Sequence, residues 1–208
     1  MIAPVTRSLT HRTLKRALDV AVAGSALLVL SPLLLVLAAL VKWEDPRAPV
    51  LFRQERCGRH GRGFRIVKLR TMCADAEARK EAVRAMSVVA WPDFRVHDDP
   101  RVTRIGRVLR RTSLDELPQL WNVLRGDMTL VGPRPTSFGS DTYALWQTER
   151  LEHRPGLTGP WQLWGRSSMD FTERCRLEIT FFRDASLLQE LRVLAATVPV
   201  VLHRTGTA

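Results

Sequence analysis

Lysine is almost missing from this chain. Lys15, Lys42, Lys68 and Lys80 are the only four, and the other 28 of the 32 basic residues are arginine. Against 21 acidic residues this leaves a formal net charge of +11 and a pI near 11.0. Such an excess points to an anionic partner: nucleic acid, a membrane surface or a phosphorylated substrate. Arginine's planar fork suits bidentate contact with phosphate, although a compositional bias of the source genome gives the same count. Cysteine is scarce too. Cys57, Cys73 and Cys175 are odd in number and far apart, with no CxxC pair and no histidine at metal-ligand spacing. They read as reduced thiols on the cytosolic side rather than a disulfide or zinc framework. Internal repeats and low-complexity segments are absent. A length of 208 residues holds one domain of ordinary size plus a short appendage.

The strongest feature present is VAVAGSALLVLSPLLLVLAALV, residues 20–41, in which 22 successive positions carry no charge. A straight helix of that length reaches about 33 Å, enough to cross a bilayer core. The stretch is too long for a signal peptide, and no small-residue cleavage site follows it. Ser31 and Pro32 fall at its centre, where proline removes a backbone donor and a kink is expected. Both flanks are basic: Arg7, Arg12, Lys15 and Arg16 precede it, and Lys42, Arg47, Arg53, Arg56 and Arg59 follow. The positive-inside tendency holds both ends on the cytoplasmic side. A helix broken at Ser31-Pro32 that dips in and returns satisfies both observations, whereas a kinked spanning helix satisfies only the first.

Further along, VLFRQERCGRHGRGFRIVKLRTM reads as a β-hairpin about a Gly-rich turn. Alternation in its second arm sets Lys68 and Arg70 on one face and Val67 and Leu69 on the other. ADAEARKEAVRAM has the composition of a surface helix, and SVVAWPDFRVHDDP reads as a loop. DPRVTRIGRVLRRT, residues 99–112, spaces Val102, Ile105, Val108 and Leu109 as the apolar side of a basic amphipathic helix. Then comes RRTSLDELPQLWNVLRGDMTLVGPRP. Its adjacent Asp115 and Glu116 lie at a helix start, with Ser113 or Asp115 as the cap and Pro118 in the first turn. Consecutive helical side chains point about 100° apart, so the two carboxylates are suited to different tasks, one facing a reacting phosphorus and the other a divalent metal. Acids that merely cap a helix are the alternative. MTLVG is strand-like, and the GPRP turn fixes Arg134. RPGLTGPWQLWGRSS is a loop carrying Arg154, Trp161, Trp164 and Arg166, suited to a nucleotide diphosphate or simply to packing. DFTERCRLEITFF reads as a helix, and the apolar tail after Ser186 either lies along a membrane or closes the core.

Four blocks, KRALDVAVAGSALLVLSPLLL, KLRTM, RRTSLDELPQLWNVLRGDMTLVGPRP and RPGLTGPWQLWGR, resemble the bacterial sugar transferases known as monotopic phosphoglycosyl transferases, or polyprenyl-phosphate hexose-1-phosphate transferases. They occur in order from about Lys15 to the C-terminus. The resemblance implies transfer of a sugar 1-phosphate from a UDP-sugar to undecaprenyl phosphate, with release of UMP. It implies a catalytic dyad of Asp115 and Glu116, with Asp115 forming an aspartyl phosphosugar and Glu116, beside Asp115, holding Mg²⁺. Lys68, Arg70, Arg110, Arg134, Arg154 and Arg166 become candidate phosphate or nucleotide contacts. The implied fold is α+β: residues 1–45 form an N-terminal segment and re-entrant membrane helix-break-helix, and residues 46–208 a small, mainly helical catalytic domain with a β-hairpin and amphipathic membrane-surface helices. The implied setting is the cytoplasmic face of the bacterial inner membrane, with no nucleic acid as partner; a homodimer is one option for assembly. Two departures stand out: KLRTM where the family often has Phe in second place, and Trp164 before Gly165 where a small residue is commoner. The sequence looks like the catalytic unit of the larger members standing alone. A nucleic-acid-binding module or an inactive membrane-anchored scaffold are the rival readings.

Overall fold

The computed structural model describes residues 9–87, 94, 96, 98–165 and 169–202. Its first element, α1 (Leu9–Glu44), is one helix of 36 residues, about 54 Å long at 1.5 Å per residue. It is long and apolar enough to cross a membrane, with a mean hydropathy of 2.5 over 18 residues. Pro32 lies inside it. Proline takes away the N–H that would bond the carbonyl of residue 28, and the Ser31 hydroxyl donates to that Leu28 carbonyl at 2.8 Å. The expected separation into two helices at Ser31-Pro32 is therefore corrected. A neighbouring hydroxyl stands in for the missing bond, and the helix runs on through the proline.

Both arms of α1 are held by the rest of the chain, while its middle is not. In the first arm the Arg16 guanidinium donates to the carbonyls of Val123 and Leu124, both at 2.6 Å, and Asp19 accepts from the Thr129 hydroxyl at 2.6 Å and the Leu130 N–H at 3.0 Å. In the second arm Leu37 and Val41 pack with Leu69 and Leu109, and the Glu44 carboxylate accepts from the Arg104 and Ile105 N–H groups. Arg16 thus meets the orphan carbonyls that end one helix, and Glu44 the orphan donors that begin another. Between the arms Leu28, Val29, Leu35 and Val36 are 57–77% exposed.

The hairpin forms as expected, β1 (Leu51–Cys57) antiparallel to β2 (Gly63–Leu69), with Leu51 opposite Leu69. Its turn places His60 and Gly61 at φ 56° and 73°. β2 is covered on both sides: Ile66 enters the main core and Leu69 the cluster under the second arm of α1. Residues 74–86 do not form the expected surface helix. Turns lead into a short 3-10 segment (Glu81–Met86), because only Ala76 and Val83 in this stretch are buried and no continuous apolar stripe holds an α-helix down. The loop reading of 87–100 applies to the described positions, where Ser87 and Val96 form an isolated bridge.

After it, α2 (Arg104–Thr112) is capped by the Thr103 hydroxyl, which accepts from the Gly106 N–H at 2.9 Å. α3 (Gln119–Arg125) ends at Gly126 with φ 91°, the left-handed cap that glycine adopts freely. β3 (Thr129–Val131) follows. The segment expected as a wholly irregular loop contains β4 (Gly156–Thr158), parallel to β3. A Cβ on Gly156 would lie 2.1 Å from the Gly132 nitrogen, so the two strands reach this spacing only without a side chain there. α4 (Phe171–Asp184) opens with an Asp170–Glu173 capping box. α5 (Leu187–Leu202) closes the core through Val193 while leaving Leu188 and Val198 exposed. The result is mainly α with two small sheets, and the main core joins Ala23, Ile66, Leu120, Val123, Met128 and Phe182.

Asn122 ties α3 to β2. It is fully buried, accepts from the Val67 N–H at 3.0 Å, and donates to the Arg65 carbonyl at 2.8 Å and to Asp127 at 3.3 Å. Replacing it by alanine strands a donor and an acceptor in the interior at about 1–3 kcal/mol each. N122A is expected to lower the denaturant midpoint of detergent-solubilised protein by a corresponding amount, and an unchanged midpoint would show that water replaces the amide.

Candidate active site

The two adjacent carboxylates sit on a corner rather than on a helix. α2 stops at Ser113, whose φ of 56° is left-handed, an uncommon conformation for a residue with a Cβ. One 3-10 turn follows (Leu114–Glu116), and α3 starts only after Pro118. The expected capping by Ser113 or Asp115 is corrected on both counts. Ser113 closes α2, and neither side chain caps α3. The corner turns the dyad toward β2 and the GPRP turn.

The carboxylates then meet different surroundings. Glu116 Oε1 accepts from Lys68 Nζ at 2.7 Å and from Arg134 Nη2 at 2.9 Å, and Oε2 faces Arg134 Nη1 at 3.5 Å. Burial alone would raise its pKa, but Arg134 and Lys68 overcome that by charge and hydrogen bonding and hold it well below the usual carboxylate range. Asp115 is 8% exposed and makes no hydrogen bond or ion pair among the described residues. Burial pushes its pKa up to about 6; the Lys68 charge opposes this, Glu116 adds to it, and Arg110 and Arg134 oppose it. Two acids one residue apart therefore separate, one locked as an anion and the other left basic and unpartnered.

The expected cations divide in the same way. Lys68 and Arg134 touch Glu116. Arg110 is held through Nε to the Thr71 hydroxyl at 2.9 Å. Burial lowers its pKa while the charge of Asp115 counters, which puts its guanidinium within electrostatic reach of that acid. Arg70 lies past the end of β2, with Nε on the Pro49 carbonyl at 2.8 Å; the strand stops before the alternation can bring it to Lys68's side. Arg154 is exposed and makes no contact with the dyad among the described residues. Arg166 lies outside the described residues. Trp161 is buried beneath two guanidinium groups, with Arg134 at 5.7 Å and Arg174 at 5.1 Å from its ring centre. It is a platform for arginine, while Trp164, 59% exposed, keeps an open ring.

Several supporting residues escape a reading of the sequence. Thr71 orients Arg110, and its signal was the end of KLRTM. Arg150 and Glu178 grip the backbone of Arg134, yet they stand 16 and 44 residues away with no local pattern to mark them. Among the described residues no three His, Cys, Asp or Glu side chains converge as a metal cage. The donor set fits Mg²⁺ in a sparser way. Asp115 and the weakly engaged Glu116 Oε2 offer two hard oxygens, and Mg²⁺ commonly takes one or two carboxylates and completes its shell with water and substrate phosphate.

Known proteins have similar sequences. A family model described as bacterial sugar transferase matches residues 10–204. The undecaprenyl-phosphate galactose phosphotransferase of Salmonella typhimurium is 38% identical over 202 residues, covering 95% of this chain and 42% of that protein. The UDP-glucose:undecaprenyl-phosphate glucose-1-phosphate transferase of Caulobacter vibrioides is 42% identical over 197 residues, covering 90% and 69%. The exopolysaccharide production protein ExoY of Sinorhizobium fredii is 38% identical over 200 residues, covering 93% and 87%. The chain spans less than half the length of several larger curated relatives. With the match running through both arms of α1, the dyad and the GPRP turn, the chain belongs to the bacterial sugar transferase family.

Proposed function

We propose that the protein transfers a sugar 1-phosphate from a UDP-sugar to undecaprenyl phosphate, early in assembly of an exopolysaccharide or capsule. Relatives named for this reaction support the reading, and one observation carries it: a buried Asp115 with no hydrogen-bond partner among the described residues, beside a Glu116 locked by Lys68 and Arg134. An Asp115 oxygen attacks the phosphorus that bears the sugar, and the bond from that phosphorus to the bridging oxygen of UMP breaks. UMP leaves with the electron pair, and Asp115 carries the phosphosugar as an acyl phosphate. An oxygen of the lipid phosphate then attacks the same phosphorus, and the Asp115 carboxylate departs unchanged. Attack by one anion on another requires neutralisation, which Arg110, Arg134 and Lys68 supply from fixed positions. Bound to Asp115 and Glu116, Mg²⁺ would add charge stabilisation at the diphosphate.

The acceptor is lipid, and α1 suits it. We read α1 as re-entrant, one continuous helix that bends about Pro32 rather than breaking there, with residues 1–45 as the membrane part and 46–208 as the catalytic part on the cytoplasmic face of the inner membrane. Arg16 and Glu44, near opposite ends of α1, bind the same catalytic part while the apolar middle stands free. A helix crossing to the far side would have to give up one of these two sets of contacts.

UMP release from UDP-glucose or UDP-galactose, measured with undecaprenyl phosphate in detergent, tests the reaction. D115N is expected to reduce it at least 10³-fold, by analogy with the loss of an essential nucleophile, and wild-type protein inert toward a panel of UDP-sugars would overturn the reading. The attacking form is the carboxylate, which burial lifts to about 6 in the metal-free protein and which a bound Mg²⁺ would lower, so the rate should fall in acid with a midpoint that moves down as Mg²⁺ is raised. A midpoint at an ordinary aspartate's value with Mg²⁺ limiting would contradict the raised pKa. D115N should also leave thermal stability at pH 7.5 unchanged or higher, since an acid whose folded pKa lies above its unfolded value costs stability once ionised.

Topology has its own test. In a background without Cys57, Cys73 and Cys175, single cysteines in T10C and P46C should both react with an impermeant maleimide only from the cytoplasmic side. Labelling from opposite sides would establish a spanning helix.

A further inference from the structure

Arg134 lies between two prolines, Pro133 and Pro135, so its own N–H is the one backbone donor between Gly132 and Thr136. That N–H donates to Glu178 Oε1 at 2.9 Å. Its carbonyl accepts from Arg150 Nη2 at 2.7 Å. The two gripping side chains are paired with each other, Arg150 Nε to Glu178 Oε2 at 2.8 Å. Arg150 Nη1 reaches the Tyr143 hydroxyl at 3.0 Å, which in turn meets the Thr136 hydroxyl at 2.7 Å, closing a ring back onto the residue that follows the GPRP turn. Arg150 and Glu178 are 2% and 0% exposed. A fully buried ion pair is a poor device for stability, because desolvation consumes most of its attraction and apolar residues of similar volume do as well or better.

Resting on the transfer reading, we propose that the Arg150–Glu178 pair is a positioning clamp that fixes the Arg134 peptide so that its guanidinium stays on Glu116 and the reacting phosphate. Neither residue touches the substrate; both act through Arg134. The prolines set φ on either side of the arginine, and the pair fixes its two peptide planes. What remains is the Arg134 side chain, which lies over Trp161 and carries its fork to Glu116. Local sequence can supply the prolines. Only the tertiary fold can bring α4 and the 3-10 segment Leu145–Glu152 to grip the turn.

The test is a double-mutant cycle. R150M/E178L replaces the pair by apolar side chains but leaves the Arg134 N–H and carbonyl without their partners, so its thermal midpoint should fall by several degrees while the protein stays folded at the assay temperature. Its kcat for UMP release should nevertheless fall about tenfold or more, the scale expected when a charge-stabilising group is misplaced by a fraction of an ångström to an ångström, with a smaller change in donor KM. In a R134A background, whose residual turnover is followed with radiolabelled donor, the same replacement should cost less than about twofold, because its route of action is gone. Wild-type kcat in a stable R150M/E178L protein, or the same loss with and without the Arg134 side chain, would overturn the clamp. Should the double replacement fail to fold, R150K keeps a charge against Glu178 but lacks the fork that reaches the Arg134 carbonyl, and the same cycle applies with the same outcomes. An unmodified protein that releases no UMP would sink the transfer reading and the clamp's purpose together, whereas normal release with an unaffected R150M/E178L sinks the clamp alone.

Discussion

Everything at the site depends on the two cations that Glu116 receives. Without Lys68 and Arg134 the neighbouring carboxylates would be two similar acids in one partly buried corner, and mutual repulsion would raise both. With both cations committed to Glu116, its charge is fixed, and the adjacent Asp115 is left buried, without a donor among the described residues, and a stronger base than an ordinary aspartate. Position in the chain does not distinguish the acids. Their neighbours do, and those come from β2 and from the GPRP turn.

That requirement explains much of the scaffold. Lys68 is held because Asn122 pins β2 to α3, and Arg134 because its peptide is gripped from behind. The corner that carries the dyad needs Ser113 in a left-handed conformation, a strain that the flanking elements must hold in place. Those elements are tied in turn to the apolar helix: Glu44 caps the start of α2, and Arg16 meets the end of α3. The α1 helix is thus joined at both arms to the body that carries the dyad, while its apolar middle stands clear.

The sequence showed some of this and concealed the rest for physical reasons. The hairpin, α4 and the apolar helix were legible because each is specified by local periodicity and turn chemistry. The adjacent acids and the rigid GPRP turn stood out in a basic chain, and the fold brings Glu116 and Arg134 together. Ser31 beside Pro32 suggested a break, yet the hydroxyl that marks the spot also repairs it. Residues 74–86 carried helix-forming composition without an apolar stripe, and composition did not suffice. β4 was hidden because a three-residue parallel strand leaves no periodicity to read. Arg70 and Lys68 looked equivalent by alternation, but the strand ends between them. Arg150 and Glu178 gave no local sign, since a buried pair formed across 28 residues is written in the tertiary structure alone.

The most direct measurement is peptide mapping by mass spectrometry after brief incubation with UDP-sugar and Mg²⁺ in the absence of lipid acceptor, followed by rapid acid quench. The expected result is a phosphosugar adduct on Asp115, absent from D115N and discharged when undecaprenyl phosphate is added before the quench. An adduct on Glu116, or turnover with no covalent species on either acid, would contradict the division of roles that Lys68 and Arg134 impose.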